Sequence, residues 1–152
     1  MLMRRTMADV GQATYRAKAH YHRARPFMAG NDAICTPEEE ARLRKGGSYP
    51  SSHSAVGWAW GLVLTEAAPE RANALVQRGR AFGQSRVMCG VHWQSDVDAG
   101  RLVASAVVAQ LHANAEFNAQ LGAARKEIAV ARAANAKPNA DCAAEAAALA
   151  LR

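Results

Sequence analysis

Aromatic residues make up only 6% of this 152-residue chain. Runs of β-branched residues are few, and no segment alternates apolar and polar in the manner of a half-buried strand. Long hydrophobic stretches are missing as well. The longest candidate, Ala55 to Leu64, stops at Thr65-Glu66, well short of the roughly 20 apolar residues that span a bilayer as a helix. Cysteine is scarce. Cys35, Cys89 and Cys142 are too widely spaced for a zinc site, and they fit either one disulfide plus a free thiol or no disulfide at all. Acidic residues are outnumbered, 13 against 19 Lys and Arg, which leaves a net charge of +6. A basic surface suits nucleic acid, anionic lipid or small phosphorylated molecules, and equally a plain soluble protein. The N-terminus, Met1-Leu2-Met3-Arg4-Arg5, has the positive start of an export signal without the apolar segment that should follow it.

What the chain does have is alanine and other good helix formers, enough for one domain with a buried core. Such a composition favours helices with small residues where they touch. Thr6 to Arg25 reads as a helix stopped by Pro26. Residues 27–50 read as connection, with Gly30-Asn31-Asp32 and Gly46-Gly47-Ser48 as turns. Within that connection Thr36-Pro37-Glu38-Glu39 opens a short helix, with Thr36 as N-cap and Glu39 as its reciprocal partner. Further helices are expected over about His53 to Ala67, from Pro69 toward Arg86, over Asp96 to His112 and over Asn114 to Ala133. The Ala-rich end, interrupted by Lys137-Pro138-Asn139, reads as a frayed tail. No repeat is evident, and the fold class is all-α.

Three separated clusters carry chemistry. Lys18 and Arg25 are seven apart, so on one helix both project from the same face. Arg25 offers a planar fork for two phosphate oxygens and Lys18 a compact point charge. By themselves, Arg16, Lys18, Arg23 and Arg25 also fit a solvated basic face. Ser51-Ser52-His53 stands where an apolar helix begins, and free backbone N–H groups with the positive end of the helix dipole make such a place an anion site. The serines serve equally as caps. His53 beside such a site could protonate a leaving-group oxygen. In the third cluster Arg86 adds a cation, and His92 and Asp96 are four apart. If that segment is helical they share a face, and a carboxylate on one ring nitrogen would leave the other free to attack phosphorus. Asp98, two residues further on, points away from that face. A surface His–Asp pair, or Ser95 or Asp96 as a cap, is the plainer alternative. Together, three cations, a helix N-terminus, two histidines and one orienting carboxylate match what transfer of a dianionic phosphoryl group requires.

Lys18-(six residues)-Arg25-Pro26, then Pro50-Ser51-Ser52-His53, then Ser85-Arg86-(five residues)-His92-(three residues)-Asp96 resemble the tripartite signature of the PAP2 superfamily. The surrounding Gly47-Ser48-Tyr49-Pro50 and Cys89-Gly90-Val91-His92-Trp93-Gln94-Ser95-Asp96 resemble the bacterial class A non-specific acid phosphatases, over roughly residues 7 to 130. The resemblance implies a helical bundle shared with vanadium haloperoxidases, and metal-free hydrolysis of small-molecule phosphomonoesters at acid pH. It implies His92 as the nucleophile that becomes phosphohistidine, Asp96 as its orienting carboxylate, and His53 as general acid and then base. Lys18, Arg25, Ser51, the backbone N–H of Ser52, and Arg86 would hold the phosphoryl oxygens. No cofactor is implied, although phosphate or vanadate would fit the pocket. Neither nucleic acid nor a membrane is an implied partner. Homo-oligomers, a periplasmic location and phosphate transfer to alcohols are family traits. The catalytic domain is expected over residues 1–133, with 134–152 as the tail.

Two departures stand out. Ser52 occupies a position where the family usually has glycine, so a narrowed pocket or a strained turn is expected. Family members also carry an export signal and several helices ahead of the lysine motif, so this chain reads as N-terminally shortened. Two other functions draw on the same residues: a catalytically weak helical protein that binds phosphate or another polyanion, and a vanadate-dependent peroxidase.

Overall fold

The computed structural model describes residues 1–30 and 33–150, and Asn31 and Asp32 of the expected turn lie outside them. Among the described residues no strand forms. The long helices are α1 (Leu2–Tyr21), α4 (Ser52–Ala67), α5 (Ala72–Met88), α6 (Gln94–Leu111) and α7 (Ala115–Ala133), with short pieces α2 (Pro26–Ala29) and α3 (Glu40–Leu43) between α1 and α4, and α8 (Cys142–Ala150) at the end. No helix among the described residues is long and apolar enough to cross a membrane.

Helix α4 sits at the centre and packs against α1, α5, α6 and α7. Its composition explains this position. Small and apolar residues surround it, and Ala55, Ala59 and Val63 are wholly buried. The main core joins these to Val10 of α1, Ala104 and Val108 of α6, and Phe117 and Leu121 of α7. Glycine lets α5 come close: a Cβ on Gly79 would lie 2.9 Å from the Gly57 carbonyl oxygen. Two indoles tie the layers, Trp58 donating to the Ser105 hydroxyl at 2.9 Å and Trp60 to the Met3 carbonyl at 2.9 Å. A second, smaller core of Phe27, Ile34, Leu43 and Val91 lies beneath the 27–50 connection. The disulfide Cys35–Cys89 closes it, leaving Cys142 free and exposed.

Several expectations change. Helix α1 ends at Tyr21, where His22 takes a left-handed φ of 41°, so Arg25 is not on the helix of Lys18. Arg25 is extended instead, as a residue before proline must be. Thr36 makes no side-chain cap; a 3₁₀ turn, Pro37–Glu39, leads into α3. A second 3₁₀ turn, Pro69–Arg71, precedes α5. The segment expected to be a frayed tail contains α8, linked to α5 by the Arg78–Glu145 ion pair.

Candidate active site

The N-termini of α4 and α6 converge on one place. Ser51 caps α4, its hydroxyl oxygen accepting from the Ser54 N–H at 3.3 Å and from the Ser54 hydroxyl at 2.9 Å. The Ser51 N–H donates to the Asp96 carbonyl at 2.9 Å, which joins this cap to the first turn of α6. Gly100 permits the approach: a Cβ there would sit 2.5 Å from the Ser51 carbonyl oxygen. The N–H groups of Ser52 and His53 fall in the first turn of α4, where intrahelical partners are lacking.

His92 stands just before α6, in a bend and not on a helix face. The expected shared helical face is therefore replaced by a different device. The Arg86 carbonyl accepts from the N–H groups of Val91 and His92, both at 3.2 Å. Asp96, fully buried in the first turn of α6, turns back so that Oδ2 accepts from the Trp93 N–H at 2.9 Å and faces His92 Nδ1 at 3.4 Å. Its Oδ1 accepts from Arg23 Nη1 at 2.8 Å. Asp96 thus caps its helix and orients His92 at once. The other ring nitrogen, Nε2, meets Arg25 Nη1 at 3.2 Å. With Nδ1–H turned to the carboxylate, Nε2 carries the lone pair and accepts from the guanidinium. Asp98 is exposed and bonds Gln94 and Arg101, away from His92.

The cations are held by carbonyls. Arg25 donates to Leu43, Val91 and Gly47 at 2.9, 3.0 and 3.3 Å, and Lys18 Nζ to Gly47 and Ser48 at 3.0 and 3.3 Å. The Nε of Arg86 is buried without a hydrogen-bond partner. A cavity of about 420 Å³ opens onto this cluster. Of the residues the sequence nominated, Lys18, Arg25, Ser52, His53 and His92 line it, while Ser51, Arg86 and Asp96 are not part of its wall. Ser52 needs no left-handed backbone, and its hydroxyl is 2.7 Å from that of Thr14. The expected strained turn is absent. Sequence reasoning missed Arg42, Tyr15 and Met7 in the wall, and it counted Arg23 only as part of a basic face.

Burial and neighbouring charge set the protonation states. Burial pushes His92 down to about 4, assisted by Arg25 and Lys18 and opposed by the hydrogen bond to Asp96. His53 reaches solvent at the cavity, yet partial burial and then the charges of Arg86, His92, Arg42 and Lys18 push it to about 4. Burial lowers Lys18 to about 8 and Arg25 to about 10, each with a neighbouring arginine adding to the effect. Burial alone would raise Asp96; the hydrogen bonds from His92 and the Trp93 N–H, with Arg23, hold it below the usual carboxylate range. The cluster is therefore a neutral imidazole backed by a carboxylate and facing several cations, a shape and field made for an oxyanion.

Residues 6–119 match the PAP2 superfamily. The chain belongs to that superfamily. It is 50% identical over 129 residues to a non-specific acid phosphatase of Providencia stuartii, covering 84% of this chain and 52% of that protein. It is 53% identical over 116 residues to a non-specific acid phosphatase of Salmonella typhimurium, with 76% and 46% covered. An acid phosphatase of Zymomonas mobilis is 44% identical over 131 residues, with 86% and 48% covered. The chain thus spans about half the length of the curated relatives it matches. The part of this PAP2 chain that carries the cavity lies wholly inside the matched region.

Proposed function

We propose that this PAP2 chain is an acid phosphatase that hydrolyses phosphomonoesters without a metal, through a phosphohistidine. The observation that carries this reading is His92 in the cavity wall, held with its Nε2 against Arg25 and its Nδ1 toward the buried carboxylate of Asp96. On substrate binding the phosphoryl oxygens take the Arg25 fork, Lys18, Arg86 and the first-turn N–H groups of α4. His92 Nε2 then attacks phosphorus, forming the N–P bond as the P–O bond to the alcohol breaks. Asp96 stabilises the positive charge that develops on the imidazole. His53 delivers a proton to the departing oxygen, takes one back from water, and the water oxygen displaces His92 from phosphorus. An alcohol in place of that water gives phosphate transfer instead of hydrolysis.

The low His53 pKa comes from burial and from the surrounding cations. A bound dianion offsets the surrounding cations and raises it toward the protonated state that the donor role needs. Vanadate, with the charge and oxygens of phosphate, is expected to occupy the same pocket. A periplasmic location is supported by the Cys35–Cys89 disulfide, since such bonds persist in oxidising compartments.

The test is release of p-nitrophenol from p-nitrophenyl phosphate at pH 5–6 with a chelator present, comparing the wild type with His92→Ala. The expected result is release by the wild type and background only from the variant. Equal release by both proteins would remove His92 from the chemistry, and loss of wild-type activity to the chelator would remove the metal-free mechanism.

A further inference from the structure

Arg42 is a cation that the phosphoryl cluster does not use. It projects from α3 into the cavity wall next to Leu43 and Gly46, yet it bonds none of the groups that fix Lys18, Arg25 or His92. Its partner is Glu39, three residues back on the exposed side, and the Arg42 side chain keeps 64% of its surface open. An exposed pair at this spacing holds its members weakly, so a competing anion can take the guanidinium. Its charge nevertheless reaches inward, being one of the causes that lower Arg25, His53 and Arg86.

The inner cluster already matches the oxygens of one phosphoryl group. Lys18 and Arg25 are anchored by backbone carbonyls, and Arg86, with a buried, unpartnered Nε, is near enough for its charge to act on Arg25 and His53. Arg42, on the same cavity but outside that cluster, leaves a second cationic position. The rest of the wall includes Met7, Tyr15 and Val56, none of which carries charge, so beyond the inner cluster Arg42 is the lining cation that can pair with an anion. We infer that Arg42 selects phosphomonoesters whose leaving group carries a second anionic group, a phosphate or a carboxylate, and that it does so by binding that second anion. The inference rests on the phosphomonoesterase reading of the pocket.

The experiment separates the two claims. Binding of fructose 6-phosphate and fructose 1,6-bisphosphate is measured by calorimetry on His92→Ala and on His92→Ala/Arg42→Gln, while phosphate release from both sugars is followed with the wild type. The quantity read is the ratio of the two affinities, because Arg42 also acts on the inner cluster through its field. With Arg42 present the bisphosphate binds about tenfold more tightly, in line with one added charge-assisted contact. Arg42→Gln brings the ratio near one. Arg42→Lys, which keeps the charge and loses the fork, keeps a ratio above that of Arg42→Gln, and this separates charge from packing. A ratio that is the same with arginine and glutamine overturns the inference, even if phosphate is released. A ratio that collapses in Arg42→Gln while no phosphate is released upholds selection by Arg42 and overturns the catalytic reading.

Discussion

His92 shows how much rests on one side chain and its neighbours. It lies four positions before Asp96, and from spacing alone a shared helical face was the natural expectation. The structure reaches the same pairing by another route, because His92 precedes α6 and Asp96 folds back over the first turn. Lys18 and Arg25 tell a similar story. Their spacing suggested one helix, but Pro26 forces Arg25 into an extended backbone, and both still reach one cavity. These residues could be nominated together from the sequence because few functions call for that set of groups. Arg42 was not legible, since an arginine three residues after a glutamate reads as an ordinary surface pair. Asp96→Asn keeps the shape but can donate to Nδ1, which would turn the Nε2 lone pair into an N–H. We expect kcat to fall by about 10²–10⁴-fold with little change in KM, read from steady-state kinetics on p-nitrophenyl phosphate. A change confined to KM would mean that Asp96 serves binding only.

The protonation of His92 also bears on stability. Its folded pKa, about 4, lies below the ordinary histidine value of 6.5. The unfolded chain therefore takes up that proton first as pH falls. The stability tied to the neutral ring is present above about 6.5 and is lost as pH drops toward 4, amounting to about 3 kcal/mol for this buried group. His92→Gln, which cannot titrate, should show a flatter fall in melting temperature between pH 6.5 and 4 than the wild type. An identical slope would mean that His92 is not the group taking up the proton.

Among the elements, α4 and α6 matter most because their first turns form the site. The run from Ser51 announced a helix start in the sequence, and Ser51 is indeed its cap. Long helices were readable from composition and from Pro26, Pro50 and Pro69; the connection over 27–50 was not, since its order comes from a small core and a disulfide between residues 54 apart in sequence. Cysteine spacing left that bond open, because the choice depends on which chain segments meet in space. The tight contact of Gly100 with the Ser51 carbonyl was equally invisible, as nothing local distinguishes that glycine. Gly100→Ala places a methyl group 2.5 Å from this oxygen and must push the two helix starts apart. A loss of about 1–3 kcal/mol in chemical denaturation is expected, with a fall in kcat at temperatures where the variant remains folded. Wild-type kinetics in a destabilised variant would show that the spacing of α4 and α6 does not set the site.

For the molecule as a whole, a net charge of +6 gains meaning only from where the cations stand. Lys18, Arg25 and Arg42 line one cavity, and the charge of Arg86 acts on Arg25 and His53 there. Burial, with these charges adding to it, lowers the pKa of both His92 and His53, and under the reading proposed above the same field would draw in a dianion and keep the attacking imidazole neutral. The chain matches about half of each relative named above, and every site residue nominated from its sequence, from Lys18 to Asp96, lies inside the family match over residues 6–119. The most direct measurement is a rapid quench into alkaline denaturant during turnover of a phosphomonoester, followed by peptide mapping under conditions that preserve phosphohistidine. Phosphate should be found on the peptide containing His92, and be absent from His92→Ala and from Asp96→Asn at matched times. Turnover with no phosphate on the protein, or with phosphate on another residue, would contradict His92 as the nucleophile.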